Sequence, residues 1–198
     1  MMTESVSRTQ GAELSGEEKL ARMEEVVWVT QAKLNDSDAF GRLMARYERP
    51  LFYFLRKLVP EGESALDLHQ EVWVDVWRGL QALQAPEAFR VWIYKIARHK
   101  AARYRRNEFR EQLFTESLAE NIPGEEMQEE EPVFDAESLH AGLATLPLKQ
   151  REILTLHYLK DLSIDEIGEV LECPAGTVKS RLYHARKALR RLLEKRNL

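Results

Sequence analysis

Between Glu111 and Glu137 the chain carries ten acidic residues and not one Lys or Arg. Such a stretch repels itself and extends rather than folding onto a core of its own. Pro123-Gly124 and the run Glu129-Glu130-Glu131-Pro132 strengthen the reading as an extended linker. Fully stretched, the roughly two dozen residues of 111–134 reach on the order of 80 Å. A 198-residue chain interrupted in this way is expected to form two small domains, over 17–110 and 135–198, behind a disordered N-terminus over 1–16.

On either side of the linker the sign of the charge reverses. Within 95–110, Lys95, Arg98, Lys100, Arg103, Arg105, Arg106 and Arg110 are set against one acid, Glu108. Within 179–198, Lys179, Arg181, Arg186, Lys187, Arg190, Arg191, Lys195 and Arg196 are set against Glu194 alone. The formal net charge of −4 therefore conceals two basic surfaces. A polyanion responds to local surface rather than to totals, so each module is a candidate nucleic-acid binder.

Only 9 Gly and 7 Pro, with abundant Leu, Ala, Glu and Arg, point to an all-α fold: two small helical domains joined by the acidic linker. The single Cys173 leaves no internal disulfide or Cys-rich zinc site and suits a reducing compartment. No apolar run approaches the ~20 residues that a membrane span needs. Glu4, Glu13, Glu17 and Glu18 stand where a signal peptide would be basic and then apolar. A soluble cytoplasmic protein is the expectation.

Helical periodicity begins near Glu17 and runs to about Leu34, with Leu20, Met23, Val27 and Leu34 broadly on one face. Asn35-Asp36-Ser37 breaks and caps the chain. A second helix from Asp38 spaces Phe40, Leu43, Met44, Tyr47, Leu51, Phe54, Leu55 and Leu58 at threes and fours, and Pro50 inside it is expected to kink or split it. A turn over Pro60 to Ser64 precedes a third helix, Ala65 to Leu83. Pro86 opens a fourth, which ends near Arg110. Beyond the linker, a helical module resumes at Asp135 and breaks at Pro147. Ser163-Ile164-Asp165-Glu166 is a capping box that starts a helix at Ser163. Glu172-Cys173-Pro174 forms a tight turn, and Pro174 starts a last long helix.

Two helices joined by a short turn, the second of them basic, make a helix-turn-helix pattern. Val178, Leu182, Ala185, Leu189 and Leu192 form an apolar stripe expected to pack on Ile164, Ile167 and Leu171. The opposite face carries Lys179, Ser180, Tyr183, His184, Arg186 and Lys187. Its first turns can reach base edges, while the later cations meet phosphates. A basic amphipathic helix alone is more often a solvated surface. Here the capping box, the Pro-opened helix and a local charge of +7 over twenty residues all agree on duplex binding.

Leu146-Pro147-Leu148-Lys149-Gln150-Arg151-Glu152-Ile153, Tyr158, Leu162-Ser163-Ile164-Asp165-Glu166-Ile167 and Cys173-Pro174-Ala175-Gly176-Thr177-Val178-Lys179-Ser180-Arg181-Leu182 follow in order. This string resembles region 4 of the extracytoplasmic-function (group 4) sigma factors of bacterial RNA polymerase. The resemblance implies that Lys179, Ser180, Arg181, Tyr183, His184, Arg186 and Lys187 meet a minus-thirty-five promoter element. His184 stands where many relatives carry Arg, so base preference is expected to differ there.

In the first domain, Asp67-Leu68-His69-Gln70-Glu71-Val72-Trp73-Val74-Asp75-Val76-Trp77-Arg78 places Leu68, Val72 and Val76 on a core seam with Trp73 and Trp77 beside it. Asp67, Gln70, Glu71 and Asp75 present an acidic and amide edge suited to a basic protein partner. Alone this would be an ordinary packed helix with a wet face. It resembles sigma region 2.2, which docks on the coiled coil of the polymerase largest subunit. The resemblance assigns Asp67, Leu68, Gln70, Glu71 and Trp77 to that interface.

The next segment, Ala88-Phe89-Arg90-Val91-Trp92-Ile93-Tyr94-Lys95-Ile96-Ala97-Arg98-His99-Lys100, interleaves aromatics with cations, as single-stranded DNA binding requires. At helical spacing Phe89, Trp92 and Ile96 are read as core, leaving Lys95, Arg98, Lys100, Arg103 and Arg106 as DNA contacts. The segment is similar to sigma regions 2.3 and 2.4, which open and read the minus-ten element. The resemblance implies that the loop Leu83-Gln84-Ala85-Pro86-Glu87 and the first turns after it capture a flipped base. It implies a minus-ten set of Leu83, Lys95, Arg98, His99, Arg103 and Arg106. His99 departs from a common Asn, and Leu83 from an often larger aromatic, and both positions bear on which base is accepted.

His69, His99, His140, His157 and His184 are scattered without metal-ligand spacing, and the chain has neither a Gly-rich phosphate loop nor a nucleophile motif. No catalysis, metal or cofactor is expected of the chain itself. The resemblance names core RNA polymerase, promoter DNA and an anti-sigma factor as partners, with no insertion into a membrane. Two other readings stand beside it. One is a stand-alone helix-turn-helix regulator, which has no need of the Asp67–Trp77 helix. The other is a helical protein-interaction module whose basic faces meet acidic partners.

Overall fold

The computed structural model describes residues 15–59, 62–112, 142–159 and 162–196, and among these residues no strand occurs. The elements are α1 (Gly16–Lys33), α2 (Ser37–Leu58), α3 (Gly62–Gly79), α4 (Phe89–Gln112), α5 (Leu148–Tyr158), α6 (Ile164–Leu171) and α7 (Ala175–Arg196). Short 3-10 turns cover Leu80–Ala82 and Pro86–Ala88, and a further helical segment covers 142–145. Residues 113–134 of the predicted linker and the start of the second module at Asp135 lie outside the described residues, as does nearly all of the N-terminal tail, while Glu111 and Gln112 continue α4.

α1 begins one residue before the periodicity suggests. Ser15 caps it: the Ser15 hydroxyl accepts from the Glu18 amide at 3.2 Å, and the Glu18 carboxylate accepts from the Ser15 amide at 2.7 Å. The predicted apolar face of this helix is not its buried one. Leu20, Met23, Val27 and Leu34 are 51–78% exposed, whereas Glu25, Val29 and Ala32, spaced i, i+4, i+7, are buried. An ionisable side chain on the inward stripe hides that stripe from hydrophobic periodicity.

α2 crosses the expected break and stays one helix through Pro50. The proline removes the bond to the Arg46 carbonyl. The helix nevertheless continues past it, with Tyr47, Leu51 and Phe54 buried on either side. α2 is the spine of the first unit: Leu43, Tyr47, Leu51, Phe54, Leu55 and Leu58 are buried, while Met44 remains exposed. α3 and α4 pack on it through Leu68, Val72, Val76, Phe89, Ile93 and Tyr94. α3 ends at Gly79, short of the predicted Leu83, where a Cβ would stand 2.9 Å from the Trp92 ring. Phe89 is buried and Trp92 and Ile96 lie partly buried against the core, as the spacing indicated.

His69 lies inside this unit, its Nε2 accepting from Trp73 Nε1 at 3.2 Å. Burial lowers its pKa, against an opposing pull from Glu48. The folded value lies below the unfolded one of about 6.5, so stability is full above that pH and is lost as pH falls through it. The melting temperature should therefore drop between pH 7 and pH 5, and His69→Gln should flatten that part of the profile.

In the second unit Ser163 caps α6 through both bonds of its box, at 3.2 and 2.7 Å. α7 buries Val178, Leu182, Ala185 and Leu189 as expected. Leu193 rather than Leu192 completes the stripe, and Leu189 and Leu193 close over Gly142. The two units abut, with α2 against α5 and α4 against α6.

Candidate nucleic-acid interface

The helix-turn-helix depends on one close approach. The Cys173 amide donates to the Gly168 carbonyl at 2.9 Å, and a Cβ at Gly168 would meet the Cys173 carbonyl oxygen at 2.8 Å. Between them Glu172 takes the left-handed conformation at φ 56°, ending α6 and turning the chain into α7. Lys179, Arg181 and Arg186 then stand exposed on the outer face, with Ser180, Tyr183, His184 and Lys187 half-buried among them. The Ser180 hydroxyl donates to the Thr177 carbonyl at 3.1 Å, and the Tyr183 and His184 rings meet edge to face at 5.4 Å. Arg186 lies 2.6 Å from His157 Nε2 of α5. The predicted minus-thirty-five set thus shares one helix.

On α4, Arg103 and Arg106 are exposed and Lys95 is half-buried. Arg98 and His99 face the second unit. Arg98 Nε donates to Glu152 at 3.0 Å and its Nη1 to Glu172 at 3.3 Å, while His99 Nε2 lies 3.7 Å from the other Glu172 oxygen. Arg22 of α1 grips Glu166 of α6 with two bonds of 3.2 Å. Burial raises the Glu166 pKa, but the Ser163 cap and Arg22 outweigh it and hold the carboxyl below its usual range.

Lys100 ties α4 to α3, at 3.0 Å from Glu71 and 2.8 Å from Asp75. Burial opposes its charge, and hydrogen bonds to Asp75 and Glu71 raise its pKa nonetheless. Of the set that the resemblance assigns to the polymerase interface, Asp67, Gln70 and Glu71 are exposed, and Trp77 is 49% exposed with its ring 4.8 Å from Phe40. Leu68 is buried and supplies packing rather than contact area.

The loop between α3 and α4 is held from α1 by residues that periodicity did not single out. Lys33 Nζ donates to the Leu83 carbonyl, and Gln81 Nε2 donates to Asn35 Oδ1 at 3.1 Å. Beside them lies a cleft of about 230 Å³ lined by Ala32, Asn35, Trp77, Arg78, Leu80 and Gln81. Deeper, Arg90 Nη2 donates to both Glu25 oxygens at 3.2 Å, and the Tyr47 hydroxyl donates to Glu25 at 2.6 Å. The available signal was Glu25 itself, a lone acid in register with Val29 and Ala32. Among the described residues no group of three or more His, Cys, Asp or Glu is placed to hold a metal, and no helix is long and apolar enough to cross a membrane.

A helical pair of units, one a helix-turn-helix and one carrying a basic helix behind a braced loop, defines a protein built to read nucleic acid. Known proteins with the same construction narrow the class. Residues 43–111 match the model of Sigma-70 region 2 and residues 136–189 that of Sigma-70, region 4, which together span more than half of the chain. The RNA polymerase sigma-H factor of Pseudomonas aeruginosa is 27% identical over 179 residues, 84% of this chain and 92% of that protein. The ECF RNA polymerase sigma factor SigW of Bacillus subtilis is 28% identical over 176 residues, 83% and 94% of the two. The solved structure of CnrH in complex with the cytosolic domain of CnrY shares the fold at a TM-score of 0.63 and 24% identity, covering 87% of this chain and 98% of that one. The sigma factor RpoE of Bartonella quintana, solved with the anti-sigma factor NepR, does so at a TM-score of 0.65 and 23% identity, covering 78% and 96%. The chain belongs to the sigma-70 family, as a member of its extracytoplasmic-function class.

Proposed function

We propose that this protein binds core RNA polymerase and directs it to promoters. In this reading α7 takes the minus-thirty-five duplex, and α4 with the loop before it takes the melted minus-ten element. The supporting observation is the pair of basic helical faces on two units that match sigma regions 2 and 4 in order. Lys179, Ser180, Arg181, Tyr183, His184, Arg186 and Lys187 are the duplex contacts. Leu83, Lys95, Arg98, His99, Arg103 and Arg106 are the minus-ten contacts. Asp67, Gln70, Glu71 and Trp77 meet the polymerase. A stand-alone regulator would leave this last edge without a use.

Reading both elements together requires the units to part. A spacer of roughly seventeen base pairs at about 3.4 Å each spans ~60 Å. In the packed arrangement α6 touches both α4 and α7, so the axes of α4 and α7 lie within about two helix diameters, ~20 Å, of each other. The acidic linker, at on the order of 80 Å when extended, has the length to let them separate and raises the effective concentration of the second contact.

The chemistry belongs to the polymerase; this chain supplies position and specificity, without catalysis of its own. Its place is the cytoplasm, where the polymerase works, and no step inserts it into a membrane. An anti-sigma factor is the further partner, of the kind solved with the sigma factor RpoE.

Purified protein added to core polymerase should confer initiation at discrete start sites on genomic DNA; failure at every site refutes the reading. Lys179→Ala should cost about 1–3 kcal/mol of discrimination at one promoter position. Arg190→Ala should instead weaken binding evenly across sequences, with a change in salt slope well below about 1 because Arg190 is already paired with Glu194 at 2.9 Å. Gel-shift titrations over salt and promoter variants separate the two, and an equal loss at all sequences for Lys179→Ala would remove its base-reading role.

A further inference from the structure

We propose that the C-terminal end of α1 sets the shape of the minus-ten loop, with Lys33 and Asn35 as positioning residues for base selection. The inference deepens the sigma reading and rests on it. The loop has little to hold it from within. Its backbone is extended at Leu83 (φ −63°, ψ 114°) and at Ala85 (φ −112°, ψ 113°), between two 3-10 turns of three residues each. Backbone bonds close the turns, Leu83 to Leu80 at 3.2 Å in the first, and Ala88 to Ala85 at 3.0 Å with Phe89 to Pro86 in the second. An extended segment of this kind leaves backbone groups open to solvent and many conformations within reach.

Three anchors from α1 and its C-terminal turn restrict it. Asn35 accepts from Gln81 just before the extended residues, Lys33 donates to the carbonyl of Leu83 within them, and Glu25 accepts from Arg90 just after them. The anchors therefore bracket the loop rather than merely touching it. Lys33 stands in the last turn of α1, where the helix's own carbonyls favour a cation. Asn35 has φ 68°, a left-handed backbone that Asn tolerates better than most residues. That turn leaves its amide within hydrogen-bond reach of Gln81. With the Leu83 carbonyl fixed by a charge-assisted bond, the wall of any base pocket built on Leu83 is set before DNA arrives. A preformed loop selects by fit, whereas a loose one adapts to a wrong base at smaller loss.

Lys33→Ala and Asn35→Gly test this, the glycine keeping the left-handed turn while deleting the amide. The assay is open-complex formation with core polymerase on a matched promoter and on single-base minus-ten variants of it. The ratio of matched to mismatched rates should fall roughly tenfold for Lys33→Ala, the low end for one hydrogen bond to a charged donor. It should fall less for Asn35→Gly, and Lys33→Arg should restore most of it. Melting temperature, affinity for core polymerase and affinity for an isolated minus-thirty-five duplex should stay at wild-type values. An unchanged ratio in both variants overturns the inference. So does an equal fall on every promoter accompanied by a lower melting temperature, since that marks a merely structural brace. If the wild-type protein directs no initiation, the sigma reading itself fails and this inference with it.

Discussion

Arg90→Ala should remove about 3 kcal/mol or more from the stability of the N-terminal unit. Arg90 and Glu25 are 4% and 3% exposed, and the guanidinium holds both carboxylate oxygens at 3.2 Å. Deleting one member of such a pair leaves a buried charge without its partner, at a cost of about 3–5 kcal/mol. Arg46, 3.2 Å from Glu25 and more exposed than Arg90, still offers some compensation, which places the expectation at the low end. Tyr47 adds to the site: burial and then the Glu25 carboxylate push its phenol pKa up, so it remains a donor. All four tryptophans, at 28, 73, 77 and 92, lie in this unit, so a urea melt followed by tryptophan fluorescence reports on it selectively. The double variant Glu25→Leu, Arg90→Met should recover only part of the loss, because the Arg46 guanidinium and the buried Tyr47 hydroxyl both lose Glu25 as a partner. A loss below about 1 kcal/mol for Arg90→Ala would mean that solvent reaches the pair.

Gly168→Ala should disable the second unit as a duplex reader. The added methyl would lie 2.8 Å from the Cys173 carbonyl oxygen, a backbone atom that no rotamer change can move aside. Relief requires the turn between α6 and α7 to open, at about 1–3 kcal/mol of overpacking, and α7 loses its fixed angle to the core. Binding to a minus-thirty-five duplex should fall at least about tenfold, with binding to core polymerase through the first unit retained. Gly176→Ala is the matched control, since its Cβ would meet nothing within 4 Å. Removing that glycine should raise stability by up to about 1 kcal/mol. Equal melting curves for Gly168→Ala and the wild type would show that the turn can yield.

The helix-turn-helix was legible because its signals are local. A capping box, a Pro-Ala-Gly entry and a four-three apolar spacing each act within a few residues, so the start of α6 and the outer face of α7 follow from sequence. Leu192 was read for Leu193 because a long stripe drifts around the axis, and only packing over Gly142 decides its last member. The inward face of α1 was not legible. Glu25 is an acid, and nothing local reveals that Arg90, sixty-five residues later, lies opposite it. At Pro50 a local rule allows either a kink or a split, and the split does not occur: α2 runs on as one helix between residues buried on both sides of the proline. The basic face of α4 was legible in charge but not in the partners of Arg98 and His99, which arrive from another unit.

Arg98 shows what those partners imply for measurement. In the packed arrangement its guanidinium already neutralises Glu152 and Glu172. To take a phosphate it must leave two carboxylates, which then gather small cations from solution just as the DNA sheds one. The uptake offsets the release, so Arg98 should add little to the dependence of affinity on ionic strength. The exposed Arg103 and Arg106 should contribute in full. A count of DNA contacts inferred from salt titration alone would thus miss the very cation that the two halves of the molecule share.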